Sequence, residues 1–137
     1  MTKKILLIDD DQVTNFFNRK LIEQSSTPIE VKTVNSVSDA ITFLRENKNY
    51  WIPDVIFIDI FMPIKSGWDF LEEFQQEFES HATTIKLYML SSSTEDEDIT
   101  KAKDHFLVKD YISKPLILED IKAVINAFLE RKKITLK

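Results

Sequence analysis

Two apolar runs in this chain end in aspartate: Ile5-Leu6-Leu7-Ile8 meets Asp9-Asp10-Asp11, and Val55-Ile56-Phe57-Ile58 meets Asp59. Carboxylates gathered in one place repel one another and raise each other's pKa unless a cation sits among them. Acids delivered to one crevice by two such runs would therefore make a divalent-metal site. Two more chemical groups follow apolar runs in the same way. The hydroxyl of Ser91 comes after Ile85–Leu90, and the ammonium of Lys114, followed by Pro115, comes after Phe106–Ile112.

A short, continuous apolar run rich in Val and Ile reads as a strand buried on both faces, the kind a parallel sheet needs. Between these runs the pattern changes to helical period: Val13, Phe16, Phe17, Leu21 and Ile22 form the first helix, which stops in Ser25-Ser26-Thr27-Pro28. Ile29–Val34 alternates as a more exposed strand. Val37, Ala40, Ile41 and Leu44 return to helical spacing, as do Trp68, Leu71, Phe74 and Phe78 after the loop from Ile60 to Gly67. Thr94 and Glu97 match a capping box for a short acidic helix with Ile99 and Ala102, and the last helix carries Ile121, Val124, Ile125, Phe128 and Leu129. Five strands alternating with five helices predict a single α/β domain, a doubly wound five-stranded parallel sheet. Right-handed crossovers leave few topologies, and the flavodoxin-like order 2-1-3-4-5 sets strands 1 and 3 together at the switch point, where ligands bind outside the carboxyl ends. Asp9, Asp10 and Asp59 would then share one crevice.

Composition narrows the function. A length of 137 residues suits one domain that buries roughly two-thirds of its unfolded surface, with a core from about residue 4 to residue 129. The net charge of -5 disfavours nucleic acid as a partner. Arg131-Lys132-Lys133, in a basic tail from 131 to 137, reads as a solvated helix end that complements the helix dipole. Without cysteine there is no disulfide framework or thiolate metal site. The four-residue apolar run after Met1-Thr2-Lys3-Lys4 is too short for a signal-peptide core or a membrane span, so a soluble cytoplasmic protein with no membrane association is expected.

The acidic pair, the segment Asp59-Ile60-Phe61-Met62-Pro63 with Gly67 four residues on, the hydroxyl at Ser91 and Lys114-Pro115 occur in the order and strand slots of the receiver domain of two-component response regulators. The chain resembles that family from Lys4 to about Leu129. The resemblance implies that Asp59 accepts a phosphoryl group from a sensor histidine kinase or a histidine phosphotransfer protein. It implies Mg2+ held by Asp10 and Asp59, by Asp9 directly or through water, and by the backbone carbonyl of Phe61. Lys114 and the Ser91 hydroxyl would contact phosphoryl oxygens, with the backbone N–H of Ser92 near them. Tyr111 matches the aromatic that turns inward on phosphorylation, altering the surface of helix 4, strand 5 and helix 5, and the Lys114–Pro115 bond matches the family's cis peptide.

Other residues have plainer readings. Asp11 reads as an N-cap or a solvated neighbour of the site, Ser93 as a capping or loop residue, and His81 and His105 as surface residues away from the strand tips. Gly67, the one glycine in the chain, suggests a backbone requirement such as positive φ. Phe61 stands two past the acceptor, where fast-hydrolysing receivers place a residue that orients water; a bulky apolar group there predicts a long-lived phosphoryl state.

The leading function is a stand-alone receiver that switches a protein-binding surface toward a downstream target, as a monomer or a phosphorylation-dependent homodimer. A phosphorelay intermediate is the alternative. A phosphorylation-independent pseudo-receiver would have lost Asp59, Lys114 or one of the acidic pair, and a flavodoxin-like cofactor binder would need a phosphate loop where Asp9-Asp10-Asp11 stands. Catalysis would be limited to the protein's own phosphorylation and dephosphorylation.

Overall fold

Strands β1 (Lys3–Ile8), β2 (Ile29–Val34), β3 (Val55–Asp59), β4 (Lys86–Ser91) and β5 (Val108–Ser113) form one parallel sheet in the order β2-β1-β3-β4-β5. The helices between and after them are α1 (Gln12–Glu23), α2 (Val37–Glu46), α3 (Gly67–Glu77), α4 (Asp96–Asp104) and α5 (Leu118–Thr135), with a short 3-10 turn at Glu79–His81. The computed structural model describes residues 2–135, and the side chains only to residue 128. The basic cluster Arg131-Lys132-Lys133 therefore lies outside the described side chains. No helix among the described residues is long and apolar enough to cross a membrane.

The central strands are apolar on both faces because both are covered. On one face Leu6, Ile8, Ile56 and Ile58 pack with Ile41, Leu44, Phe70 and Phe74 beneath α2, α3 and α4. On the other, Leu7 and Phe57 pack with Ile22, Ile121 and Val124 beneath α1 and α5. Alternate residues of one strand thus feed two cores, as the two-residue period requires. Each fully buried aliphatic side chain contributes about 1.5–3 kcal/mol. Polar character is left only at the strand ends.

Local signals set where the helices begin. Ser36 caps α2 by accepting from the Asp39 N–H at 3.0 Å, and Ser66 and Asp69 cap α3 reciprocally. The capping box expected from Thr94 and Glu97 does not form. Helix α4 starts from Glu95 with no side-chain cap, because Ser93 occupies that role one step earlier: its Oγ accepts from the Glu95 N–H at 3.2 Å and donates to Asp98 at 2.8 Å. The fifth strand begins at Val108, so Phe106, expected within it, is an exposed turn residue.

Two further differences concern the first helix and the glycine. Helix α1 forms where its apolar spacing predicts, but its inward face is Asn15, Asn18 and Ile22, while Val13, Phe16 and Phe17 are 61%, 55% and 64% exposed. Gly67 does not have positive φ. It is required by close approach instead, since a Cβ there would lie 2.8 Å from the Asp59 carbonyl oxygen and 2.8 Å from the Met89 methyl. The left-handed residue in this loop is Ile64, at φ 71° and fully exposed, a conformation that is costly for a β-branched side chain.

Candidate functional site

The ladder between β1 and β3 ends at Ile8 opposite Ile58, so the next residues, Asp9 just past β1 and Asp59 as the last residue of β3, stand side by side at the sheet's edge. Asp10 follows at the exposed mouth. Each of the three offers a carboxylate oxygen within 4.8 Å of the others. Asp9 and Asp59 are buried, at 3% and 7% exposure. Strand 5 ends on the same rim, where Lys114 donates to Asp9 at 2.6 Å and lies 3.2 Å from Asp59. The ammonium bridges the two acids.

Electrostatics follow from that packing. Burial pushes the Asp59 carboxyl above its ordinary value; Lys114 pulls it back down, nearby Asp9 pushes it further up, and the Phe61 N–H helps to hold the charged form. Burial works against the Lys114 ammonium too, but the hydrogen bond to Asp9 and the charges of Asp59 and Asp9 outweigh it, so its pKa is raised. An ion pair is thereby kept in a partly dry crevice. The donor set also fits a hard divalent cation, since the groups are all carboxylate oxygens and lie within 4.8 Å of one another. Asp9, Asp10 and Asp59 are the residues that could hold it.

The other residues singled out in the sequence fall as follows. Ser91 ends β4, is fully buried, and its Oγ accepts from the Ser93 N–H at 3.0 Å. Its carbonyl accepts from the Lys114 N–H at 2.9 Å, tying the hydroxyl and ammonium positions together. Ser92 is exposed. Tyr111 is buried, with its hydroxyl donated to the Ser93 carbonyl at 2.6 Å and near that of Ser91 at 3.3 Å. The Lys114–Pro115 peptide is cis. Phe61 flanks the crevice with its ring half in solvent. Asp11 is the N-cap of α1, accepting from the Val13 and Thr14 N–H groups, and those bonds lower its pKa.

The two histidines lie apart from these residues. His81 and His105 precede the amino ends of β4 and β5, at the opposite edge of the sheet, and are half-buried rather than fully on the surface.

Two contacts escaped the reading of the sequence. The side-chain amides of Asn15 and Asn35 both donate to the Asp9 carbonyl, at 3.0 and 3.1 Å. The available signal was the spacing of Asn15, Asn18 and Ile22, one helical face, but asparagine on a helix ordinarily reads as solvated.

Comparison with known proteins agrees with this geometry. The family model described as response regulator receiver domain matches residues 5–126. The probable C4-dicarboxylate response regulator DctR of Halalkalibacterium halodurans is 27% identical over 127 residues, covering 93% of this chain and 51% of that protein; the chain spans about half of that relative's length. The chemotaxis protein CheY of Halobacterium salinarum is 28% identical and is covered in full, over 93% of this chain. A two component response regulator from Cytophaga hutchinsonii superposes with a TM-score of 0.88 at 34% identity, covering 93% of this chain and 97% of its own. With an acid triad at the switch point, a bridging lysine and a matching family model over nearly its whole length, the chain belongs to the response regulator receiver domains of two-component systems.

Proposed function

We propose that this chain is a phosphoacceptor whose Asp59 takes a phosphoryl group from a histidine kinase or phosphotransfer protein in an Mg2+-dependent reaction, and so switches a protein-binding surface. The observation that carries this reading is the convergence of Asp9, Asp10 and Asp59 on one another with Lys114 across them. In the step itself an Asp59 carboxylate oxygen attacks phosphorus as the bond from phosphorus to the donor's imidazole nitrogen breaks; the imidazole keeps the electron pair. Asp9, Asp10 and Asp59 would hold the Mg2+, which would supply neutralising charge for the transfer. Lys114, released from Asp59 as that carboxylate becomes an acyl phosphate, supplies a second positive charge, and the Ser91 hydroxyl donates to another phosphoryl oxygen.

A route from site to surface accompanies this chemistry. The phosphoryl group shifts the protein only by its differential contacts in two states, and Ser91 and Lys114 are where those contacts would form. Tyr111 bonds the carbonyls of Ser91 and Ser93, so movement of the β4–α4 loop is felt on β5. Beside it lies a groove of about 570 Å3 between β5 and α5, reaching from Lys114 and Pro115 to Ala127. The exposed Val13, Phe16 and Phe17 of α1 add an apolar strip near the acids that suits a protein donor rather than a small one.

The test is incubation with acetyl phosphate, with and without Mg2+, followed by intact mass, with Asp59→Asn as control. One Mg2+-dependent phosphoryl adduct that the substitution abolishes is expected. No adduct on the wild type would instead favour a module that works without phosphorylation.

A further inference from the structure

We infer that Asn15 and Asn35 are positioning residues for the acid crevice, acting through the peptide plane between Asp9 and Asp10. This rests on the proposed Mg2+ site and names residues that tune it. The β1–β2 ladder ends with Ile8 opposite Val34, and Asp9 adds one last bond by donating its N–H to the Val34 carbonyl at 3.2 Å. Beyond it no strand is left to serve the Asp9 carbonyl. The amide of Asn15 reaches it from α1 at 3.0 Å and that of Asn35 from the β2–α2 loop at 3.1 Å. Asn15 also donates to the Val34 carbonyl at 3.2 Å, bracing the tips of both strands.

A peptide unit is planar, so the carbonyl of Asp9 and the Cα of Asp10 lie in one rigid plane. Two donors that fix this carbonyl fix the point from which the Asp10 side chain departs. Asp9 is secured at its side chain as well, with Oδ1 accepting from the Asp11 N–H at 2.9 Å and Oδ2 from Lys114 at 2.6 Å. Asp10, in contrast, is exposed and depends on its backbone for its aim. Outer partners that orient metal ligands commonly change affinity by 10–100-fold when removed.

Asn15 is a poor choice for stability alone. It is 3% exposed, and its Oδ1 has no hydrogen-bond partner, a buried acceptor left unmade. An apolar side chain of similar size would remove that penalty, and the two carbonyls would each retain another donor, Asn35 for Asp9 and the Asp9 N–H for Val34. Stability and metal affinity should therefore separate on substitution.

The experiment uses the full chain carrying Asn15→Leu, Asn35→Ala, or both. Mg2+ affinity is read from amide chemical shifts during titration, and the melting temperature is measured without metal. We expect the Mg2+ Kd to weaken a few-fold in each single variant and about tenfold in the double, while Asn15→Leu melts no lower than wild type. Asn35 is only half-buried, so Asn35→Ala carries the test should the other variant not fold. A Kd within twofold of wild type in the variants, with melting lowered, makes the amides merely structural and overturns the inference. A wild type that binds no Mg2+ would overturn the proposed site and this inference together, whereas a binding wild type with unaffected variants overturns this one alone.

Discussion

Helices α1 and α2 follow the two neighbouring strands at one edge of the sheet, yet they bury opposite kinds of side chain. Helix α2 turns Val37, Ala40, Ile41 and Leu44 to the core. Helix α1 turns Asn15 and Asn18 inward with Ile22 and leaves Val13, Phe16 and Phe17 in solvent, the two phenylalanines edge to face with ring centres 5.7 Å apart. Both helices are capped by a short polar residue, Asp11 and Ser36. What differs is the surface each one covers. Helix α2 lies on an apolar sheet face, where only burial of apolar area matters. The first turns of α1 lie over strand tips whose carbonyls have lost their ladder partners, and a buried carbonyl needs a donor. A helix beside a functional site can thus hold polar groups inward and apolar ones outward, at some expense of stability.

The sharpest way to break this contrast is to truncate the α2 face. Leu44→Ala should destabilise by about 3 kcal/mol, read from the denaturant midpoint at unchanged slope. A loss under about 1 kcal/mol would mean that α2 is no more committed to the core than α1.

A second change probes the site side. Since burial is the main reason that Asp59 is raised above its ordinary carboxyl value, its ionised form is disfavoured in the folded protein, and Asp59→Asn should raise the melting temperature by about 2–4 °C at neutral pH without metal. The sign follows from linkage. A raised folded pKa gives the wild type extra stability below the unfolded value, and that stability is lost as pH rises through the folded value. The advantage of Asn must therefore shrink as pH falls through the raised value toward the ordinary one near 3.8. Equal or lower melting at neutral pH would show that the pairing with Lys114 outweighs burial.

The smallest effect on stability is expected from the outward face of α1. Phe17→Ser should move stability by less than about 0.5 kcal/mol yet slow phosphotransfer from a protein donor while leaving the reaction with acetyl phosphate intact. A comparable loss in both reactions would place Phe17 in the chemistry rather than on a docking surface.

Much of the fold was legible because the sequence repeats its message at several levels. The runs Ile5–Ile8 and Val55–Ile58 can be little else than strands covered on both faces, and the alternation with helices leaves few windings. Asp9, Asp10, Asp59, Ser91 and Lys114 could be grouped as candidates because strand ends in a parallel sheet fall on one edge. The misreadings share a cause. Thr94 and Glu97 have the spacing of a cap, but it is Ser93 that accepts from the free N–H of Glu95. Gly67 reads as a turn glycine, but what requires it is the Asp59 carbonyl, eight positions back along the chain. Val13, Phe16 and Phe17 have a helical period, but period fixes the helix without fixing which side faces in.

The sequence by itself determined the order of elements, the sheet's apolar interior and the set of acids, hydroxyl and ammonium carried at the strand ends, because these depend on residue type and local spacing. Only the tertiary structure decided that Lys114 would span Asp9 and Asp59, that Tyr111 would bond the Ser91 and Ser93 carbonyls, and that two asparagines would hold the Asp9 carbonyl. Each of those contacts joins residues from different elements, and its existence depends on where strands end in space rather than on the residues adjoining it in the chain.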